Sequence, residues 1–242
     1  MSQSSVRLAA VFFGYGAVFL AAAGWLGGWG WLLAWATIAW WWLALAFLLR
    51  RPTLLGKRPD GRQHPMAVVL LLPYLVFVLG FFHLKRWWRR REPASQQVAP
   101  GLYLGRRPLA SEIPAEVRRV VDLSAELPAP RGLGDRAYRC LPVLNRYAPE
   151  PALLAPVVAE VAAEQAPVLI HCIAGKGRSA MLAAAVLLVR GAAGTVDEAE
   201  AILRRGRPGV HLHPAQREAV RAAVAKLGVA SSGGSRRDGA GS

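Results

Sequence analysis

Apolar and polar positions follow two different rhythms along the chain. From Leu8 to Leu49 the sequence is almost continuously apolar, carries no charge and is punctuated by glycines at 14, 16, 24, 27, 28 and 30. A run of that length suits two membrane helices of about 20 residues each. They are expected at 8–25 and 29–49, with residues 24–30 as the hairpin turn. The run is too long for a signal peptide, and a second begins at once. Met66 to Leu84 is a third apolar run, one span in length. Pro73 inside it would kink a membrane helix without excluding one.

After residue 91 the pattern changes to short β-branched runs alternating with Ala/Leu-rich stretches. Strands are expected at 101–105, 120–123, 138–143 and from Val168. Helices are expected at 114–119 (a brief one), 152–166, 180–190, 196–205 and 214–227. Thr195, with Glu198 three residues on, forms a capping box for the fourth of these. Strands alternating with helices predict a parallel-rich sheet covered by helices. The fold class is therefore α/β, with transmembrane helices in residues 1–91, a polar linker at 92–97, a small domain at 98–228 and a disordered Gly/Ser/Arg tail at 229–242.

Composition sharpens this division. Hydrophobic residues make up 54% of 242, yet the formal net charge is +15, and all nine tryptophans lie before residue 89. No aromatic–basic interleaving or nucleic-acid module accompanies the charge, so nucleic acid is not an expected partner. Arginines flanking apolar spans instead suit anionic lipid headgroups. Arg50, Arg51, Lys57, Arg58 and Arg62 follow the second run, and Lys85, Arg86, Arg89, Arg90 and Arg91 follow the third. Three spans would put these equal clusters on opposite sides, so the positive-inside rule gives no orientation. A re-entrant or interfacial third segment would put both on one side. Trp40-Trp41-Trp42 falls inside the second span, where packing against neighbouring helices is an alternative to an interfacial belt. Cys140 and Cys172 form no disulfide framework. Nothing in the sequence sets an oligomeric state.

The candidate chemistry lies at one junction. Val168-Leu169-Ile170-His171 runs into the turn Cys172-Ile173-Ala174-Gly175-Lys176-Gly177, and Arg178-Ser179 opens an Ala/Leu-rich helix. Strand, glycine-containing turn and helix N-terminus together form a ready anion site. A thiol there loses its proton more easily, and a guanidinium can hold two phosphate oxygens. The bland alternative is a buried cysteine at a strand end, but the strand–loop–helix context favours the anion site.

The Cys172-x5-Arg178 spacing followed by Ser179 resembles the signature of the cysteine-dependent phosphatases. The form Ala174-Gly175-Lys176-Gly177-Arg178 looks most like the dual-specificity and lipid-phosphatase branches. The order of elements from about 98 to 227 is also similar to a dual-specificity phosphatase domain. This resemblance implies that Cys172 is the nucleophile of a phosphocysteine intermediate. Arg178 and the loop from His171 through Ile173, Ala174, Gly175, Lys176 and Gly177 would bind the phosphate. Ser179 would support the thiolate as leaving group, and His171 would orient the loop from behind. No metal or other cofactor is implied; His211 and His213 lack a third ligand and are expected as surface or packing histidines.

The family's general acid is an aspartate in the segment matching residues 141–149, where this chain has Asn145, which can donate a hydrogen bond but no proton. Asp135 is the best local substitute, with a turn aspartate as its plainer reading; Asp122 reads as a strand-end structural residue. Lys176 resembles the loop lysine of phosphoinositide phosphatases. With the membrane region, it points to a phosphorylated lipid such as phosphatidylglycerophosphate or a phosphoinositide-like lipid. A phosphoprotein substrate and an inactive phosphate-binding membrane module are the alternatives. The need for a reduced thiolate places the catalytic domain in the cytoplasm, at the cell inner membrane.

Overall fold

The computed structural model describes residues 3–88, 90 and 92–228; Arg89, Arg91 and the expected tail at 229–242 lie outside the described residues. The long apolar run folds into α1 (Gln3–Leu26) and α2 (Trp31–Leu48), joined by a 3-10 turn at Gly28–Gly30. Two glycines set this hairpin. A Cβ on Gly30 would stand 2.2 Å from the Ala23 carbonyl oxygen, and one on Gly16 would stand 2.3 Å from the Trp41 indole. At the latter crossing Thr37 donates to the Gly16 carbonyl at 3.2 Å and Trp41 to Phe13 at 3.2 Å. The tryptophan triplet is thus a packing device. Trp40 meets Tyr74 edge-on at 5.5 Å, and Trp42 donates to the Leu54 carbonyl at 2.8 Å.

A third helix, α3 (Pro65–Trp88), contains Pro73. The spans expected at 8–25 and 66–84 fall within α1 and α3, and that at 29–49 overruns α2 by a few residues at its ends; all three helical segments are long and apolar enough to cross a membrane. Between α2 and α3, the chain makes a 3-10 turn at Pro52–Leu55, turns through Gly56 at φ 71° and closes a bridge between Lys57 and Gln63.

The remainder forms an α/β domain of β1 (Ser95–Ala99), β2 (Leu102–Arg106), β3 (Arg119–Ser124), β4 (Ala137–Val143), α4 (Pro151–Ala163), β5 (Val168–Cys172), α5 (Arg178–Val189), α6 (Val196–Gly206) and α7 (Pro214–Lys226). The sheet order is β1-β2-β5-β3-β4; β2, β5, β3 and β4 run parallel, and β1 is antiparallel at the edge. Helices α4 to α7 bury one sheet face through Val158, Met181, Leu187, Leu203 and Val220. Ile113, Val117, Leu133 and Tyr138 close the opposite face around Leu169. Thr195 caps α6 by accepting the Glu198 N–H at 3.1 Å.

Two local expectations are corrected. The stretch at 92–97, read as linker, supplies most of β1, whose Ser-Gln-Gln start sits on a sheet edge where polar side chains are tolerated. The brief helix at 114–119 is absent, and a single 3-10 turn at Ala110–Glu112 precedes β3 instead. Arg118 and Arg119 N–H groups bond the Pro167 carbonyl at 2.9 and 3.4 Å, drawing this segment into extended register beside β5.

The apolar helices and the α/β domain share a core. Leu43, Phe47, Leu55, Leu71, Tyr74 and Leu75 pack with Ala125, Leu127 and Leu144. Polar contacts fix the docking. The Tyr147 hydroxyl donates to the Phe47 carbonyl at 2.6 Å, Ala129 N–H to Gly61 at 2.8 Å, and Gln63 to the Glu126 carbonyl at 3.1 Å. At the far end of α3, Arg86 pairs with Glu112. The segment before α3 and its last turn therefore both touch the same domain.

Candidate active site

All five residues of β5 are buried, and the strand delivers Cys172 to its C-terminal end. In an open parallel sheet this is the edge where ligands bind. The chain then turns through Gly175 at φ 70°, where a Cβ would lie 2.4 Å from the Gly105 carbonyl carbon. Only glycine fits a left-handed turn pressed so closely on β2. Arg207 braces the same turn by donating Nε–H to the Gly175 carbonyl at 2.9 Å. Arg178 opens α5, and Met181 N–H bonds back to Gly177 at 2.8 Å.

Three groups converge on the Cys172 sulfur. Gly175 donates its N–H to Sγ at 3.2 Å, and the Ser179 hydroxyl lies 3.4 Å away. Burial opposes the thiolate, but the Arg178 charge and the bonds from Ser179 and Gly175 outweigh it and hold the thiol below its ordinary value. Cys140 shows the contrast: burial pushes its thiol up to about 11. Arg178 is buried, and its NH1 donates to both Glu126 carboxylate oxygens at 3.0 and 2.7 Å and to the Val143 carbonyl at 2.6 Å. Burial disfavours its charge, yet Glu126 and Cys172 more than offset this and raise its affinity for the proton.

Behind the loop, His171 is fully buried, and neither ring nitrogen has a hydrogen-bond partner. Burial pushes it down to about 4, so the ring is neutral at pH 7. Its Nδ1 lies 3.7 Å from Asp122. Asp122 in turn accepts from Lys57 at 2.7 Å, Ser124 N–H at 2.8 Å and Tyr138 at 3.0 Å. Burial would raise the Asp122 carboxyl, but the positive charge and donors around it hold it well below the usual carboxylate range. Asp122 is thus the structural residue expected at the strand end, with a partner 65 residues away.

A cavity of 160 Å³ opens over Cys172 and Arg178, lined also by Asn145, Arg146, Ala174, Lys176, Gly177, His211, His213 and Gln216. Asn145 is therefore in the site, and among the described lining residues there is no carboxylate. Asp135 is not in the site. It is exposed in the turn before β4, whereas Cys172 sits at the opposite, C-terminal end of the parallel strands. Strand residues rise about 3.3 Å each, which separates the two by more than a side chain's reach. Asp135 is thereby removed as the acid, because its segment feeds the wrong edge of the sheet. His211 and His213, expected at the surface or in packing, line the cavity and meet edge-on at 5.3 Å.

Glu126, Gln216, Arg207 and Lys57 escape sequence reading. Glu126 follows β3 at the ligand-binding edge, and that position was its one available signal. Lys57 had none, since its partner comes from another layer of the molecule.

Residues 106–225 match the family described as a Swiss Army Knife protein, DSP-PTPase phosphatase domain. Among solved structures, a variant of human DUSP28 is similar at 25% identity and a TM-score of 0.50, covering 56% of this chain and 97% of its own. Tk-PTP in its active form shares 26% identity with a TM-score of 0.48, covering 56% of this chain and 99% of its own. PTPMT1 in complex with PI(5)P shares 20% identity with a TM-score of 0.49, covering 56% of this chain and 97% of its own. No curated protein sequence matches the chain. The α/β domain that follows the three apolar helices is thus a cysteine-based domain of the dual-specificity and protein-tyrosine phosphatase superfamily.

Proposed function

We propose that the protein hydrolyses phosphate monoesters of membrane phospholipids, such as phosphatidylglycerophosphate or a phosphoinositide-like lipid, through a phosphocysteine at Cys172. The observation that carries the chemistry is the convergence of Gly175 N–H, the Ser179 hydroxyl and the Arg178 charge on one buried sulfur. The thiolate attacks phosphorus opposite the departing oxygen, so that an S–P bond forms as the ester P–O bond breaks. Loop N–H groups and Arg178 hold the equatorial oxygens, where charge is greatest. Asn145 can donate an N–H to the departing oxygen, and solvent supplies the proton. Water then attacks phosphorus, the S–P bond breaks, and the thiolate leaves into hydrogen bonds already in place at Ser179 and Gly175.

The lipid assignment is supported by three apolar helices, of which α2 and α3 dock on the catalytic domain, and by Lys176 on the cavity wall. A reduced thiolate requires the cytoplasmic side, so we place the domain there, at the cell inner membrane. Asn145 favours a second reading, a phosphate-binding membrane module without turnover. The two separate in a panel of phospholipid phosphates, phosphopeptides and an aryl phosphate, assayed with the full chain in detergent and reductant. Vanadate-sensitive release of phosphate, abolished in Cys172→Ser while phosphate binding persists, is the expected result. Absence of turnover on every substrate by the wild-type protein would leave the binding module; hydrolysis of phosphopeptides alone would move the substrate to protein.

A further inference from the structure

A second cavity, of 210 Å³, lies between α3 and the catalytic loop. One wall is apolar, formed by Val78, Phe81 and Phe82; the other is charged and mostly basic, with Lys85, Arg86, Arg106 and Arg207 beside the carboxylate of Glu92. Ala174 and Lys176 line this cavity and the catalytic one, so the two meet across the phosphate loop. Neither wall belongs to the chemistry at Cys172.

The basic wall is under-compensated. Among the described residues, Arg86 and Arg106 both pair with the carboxylate of Glu112. NH1 of Arg86 and both Nε and NH1 of Arg106 are shielded from solvent without a hydrogen-bond partner. A buried charged donor left unsatisfied costs more than a neutral one, and an anion at this position would remove that cost. The apolar wall belongs to a helix whose other face exposes Leu72, Val76 and Leu79. An anion site bounded by an exposed apolar helix fits an anionic amphiphile better than a free anion.

Building on the lipid-phosphatase reading above, we propose that this cavity binds the phosphodiester of a phospholipid whose terminal phosphomonoester occupies the site at Cys172. Arg86 and Arg106 hold the diester oxygens, and the acyl chains lie along Val78, Phe81 and Phe82. Lys176 stands between the two phosphates. The site therefore selects lipids that carry a monoester and a diester phosphate separated by a short polyol, and it disfavours phosphatidic acid, which has no diester.

The full chain in detergent provides the test, with dioctanoyl phosphatidylglycerophosphate, its deacylated water-soluble counterpart and an aryl phosphate as probes. The Arg86→Gln/Arg106→Gln protein should lose at least tenfold more kcat/KM on both glycerophosphate probes than on the aryl phosphate, chiefly through KM. The Arg86→Lys/Arg106→Lys protein should recover part of that loss, and thermal melting should show that each variant is folded. Phe81→Ser should weaken only the acylated probe, which separates a lipid site from a site for any polyol phosphate. Equal losses on all three probes, or none, would overturn the subsite while leaving the phosphatase reading intact. Should wild type hydrolyse nothing, the phosphatase reading fails. The subsite is then decided by calorimetric binding of the acylated probe to Cys172→Ser protein, with and without the two glutamines. A tenfold weakening supports it, and equal affinity overturns it.

Discussion

Asn145 lines the cavity over Cys172 at the place where related phosphatases are expected to keep an acid. The amide can steady a departing oxygen but cannot protonate it, so the rate should depend steeply on the leaving group. Protonation by a placed acid is typically worth about 10²–10⁴ in rate. Asn145→Asp is therefore expected to raise kcat on alkyl phosphates by up to that factor and to change nitrophenyl phosphate little. Asp135→Asn should leave both unchanged, as measured by steady-state kinetics. The nucleophile adds a pH signature. Only the thiolate attacks, and Cys172 is held below the ordinary thiol value. Activity on an aryl phosphate should thus rise with pH along a limb whose midpoint lies below about 8.5, the free thiol value. Removing the hydroxyl with Ser179→Ala weakens the thiolate and should shift that rising limb to higher pH.

The segment between α2 and α3 behaves as part of the catalytic domain, because Lys57 inserts its ammonium beneath the phosphate loop. It bonds Asp122 and the Ser124 carbonyl at 2.7 Å each, with the side chains of both Lys57 and Asp122 fully buried. Removing one partner of such a pair leaves an uncompensated charge and costs roughly 3–5 kcal/mol. Lys57→Met should lower the melting temperature measured in detergent, and adding Asp122→Asn should restore part of the loss. Asp122 has its carboxyl value depressed on folding. Its contribution to stability is full above the unfolded value of about 3.9 and is lost as pH falls through the folded value.

These contacts also mark where the sequence stops being legible. β3 and β5 could be read because their β-branched runs are bounded by turn residues, β4 because it follows a Pro/Gly-rich loop, and the Cys172–Arg178 spacing is local. β1 could not, because an edge strand beginning Ser-Gln-Gln has the composition of a linker. Lys57 with Asp122 and Glu126 with Arg178 join residues 65 and 52 positions apart, and no local pattern encodes such partners.

The molecule as a whole is one body in which an α1–α2 hairpin and α3 rest on the face that carries the phosphate loop. At its 24 residues α3 is about 36 Å long, more than the roughly 30 Å of a bilayer's hydrocarbon core. Yet Gly61 and Gln63 just before it and Arg86 in its last turn are held by the same polar-surfaced domain. Such a domain cannot reach both faces of a bilayer at once. Two arrangements follow for α3, which is long and apolar enough to cross: it crosses and one end undocks, or it keeps both ends docked and lies along the boundary it starts from. In the docked arrangement Arg58 and Arg90 would face one compartment, and the hairpin tip with the exposed Trp25, Trp29 and Trp31 would face the other. In sealed vesicles an impermeant maleimide should label Arg58→Cys and Arg90→Cys from the same side and Trp29→Cys from the opposite one. Labelling of positions 58 and 90 from opposite sides would mean that α3 crosses and that its two-ended docking does not survive in a membrane. Labelling of both from the same side would mean that the catalytic cavity opens toward a single leaflet.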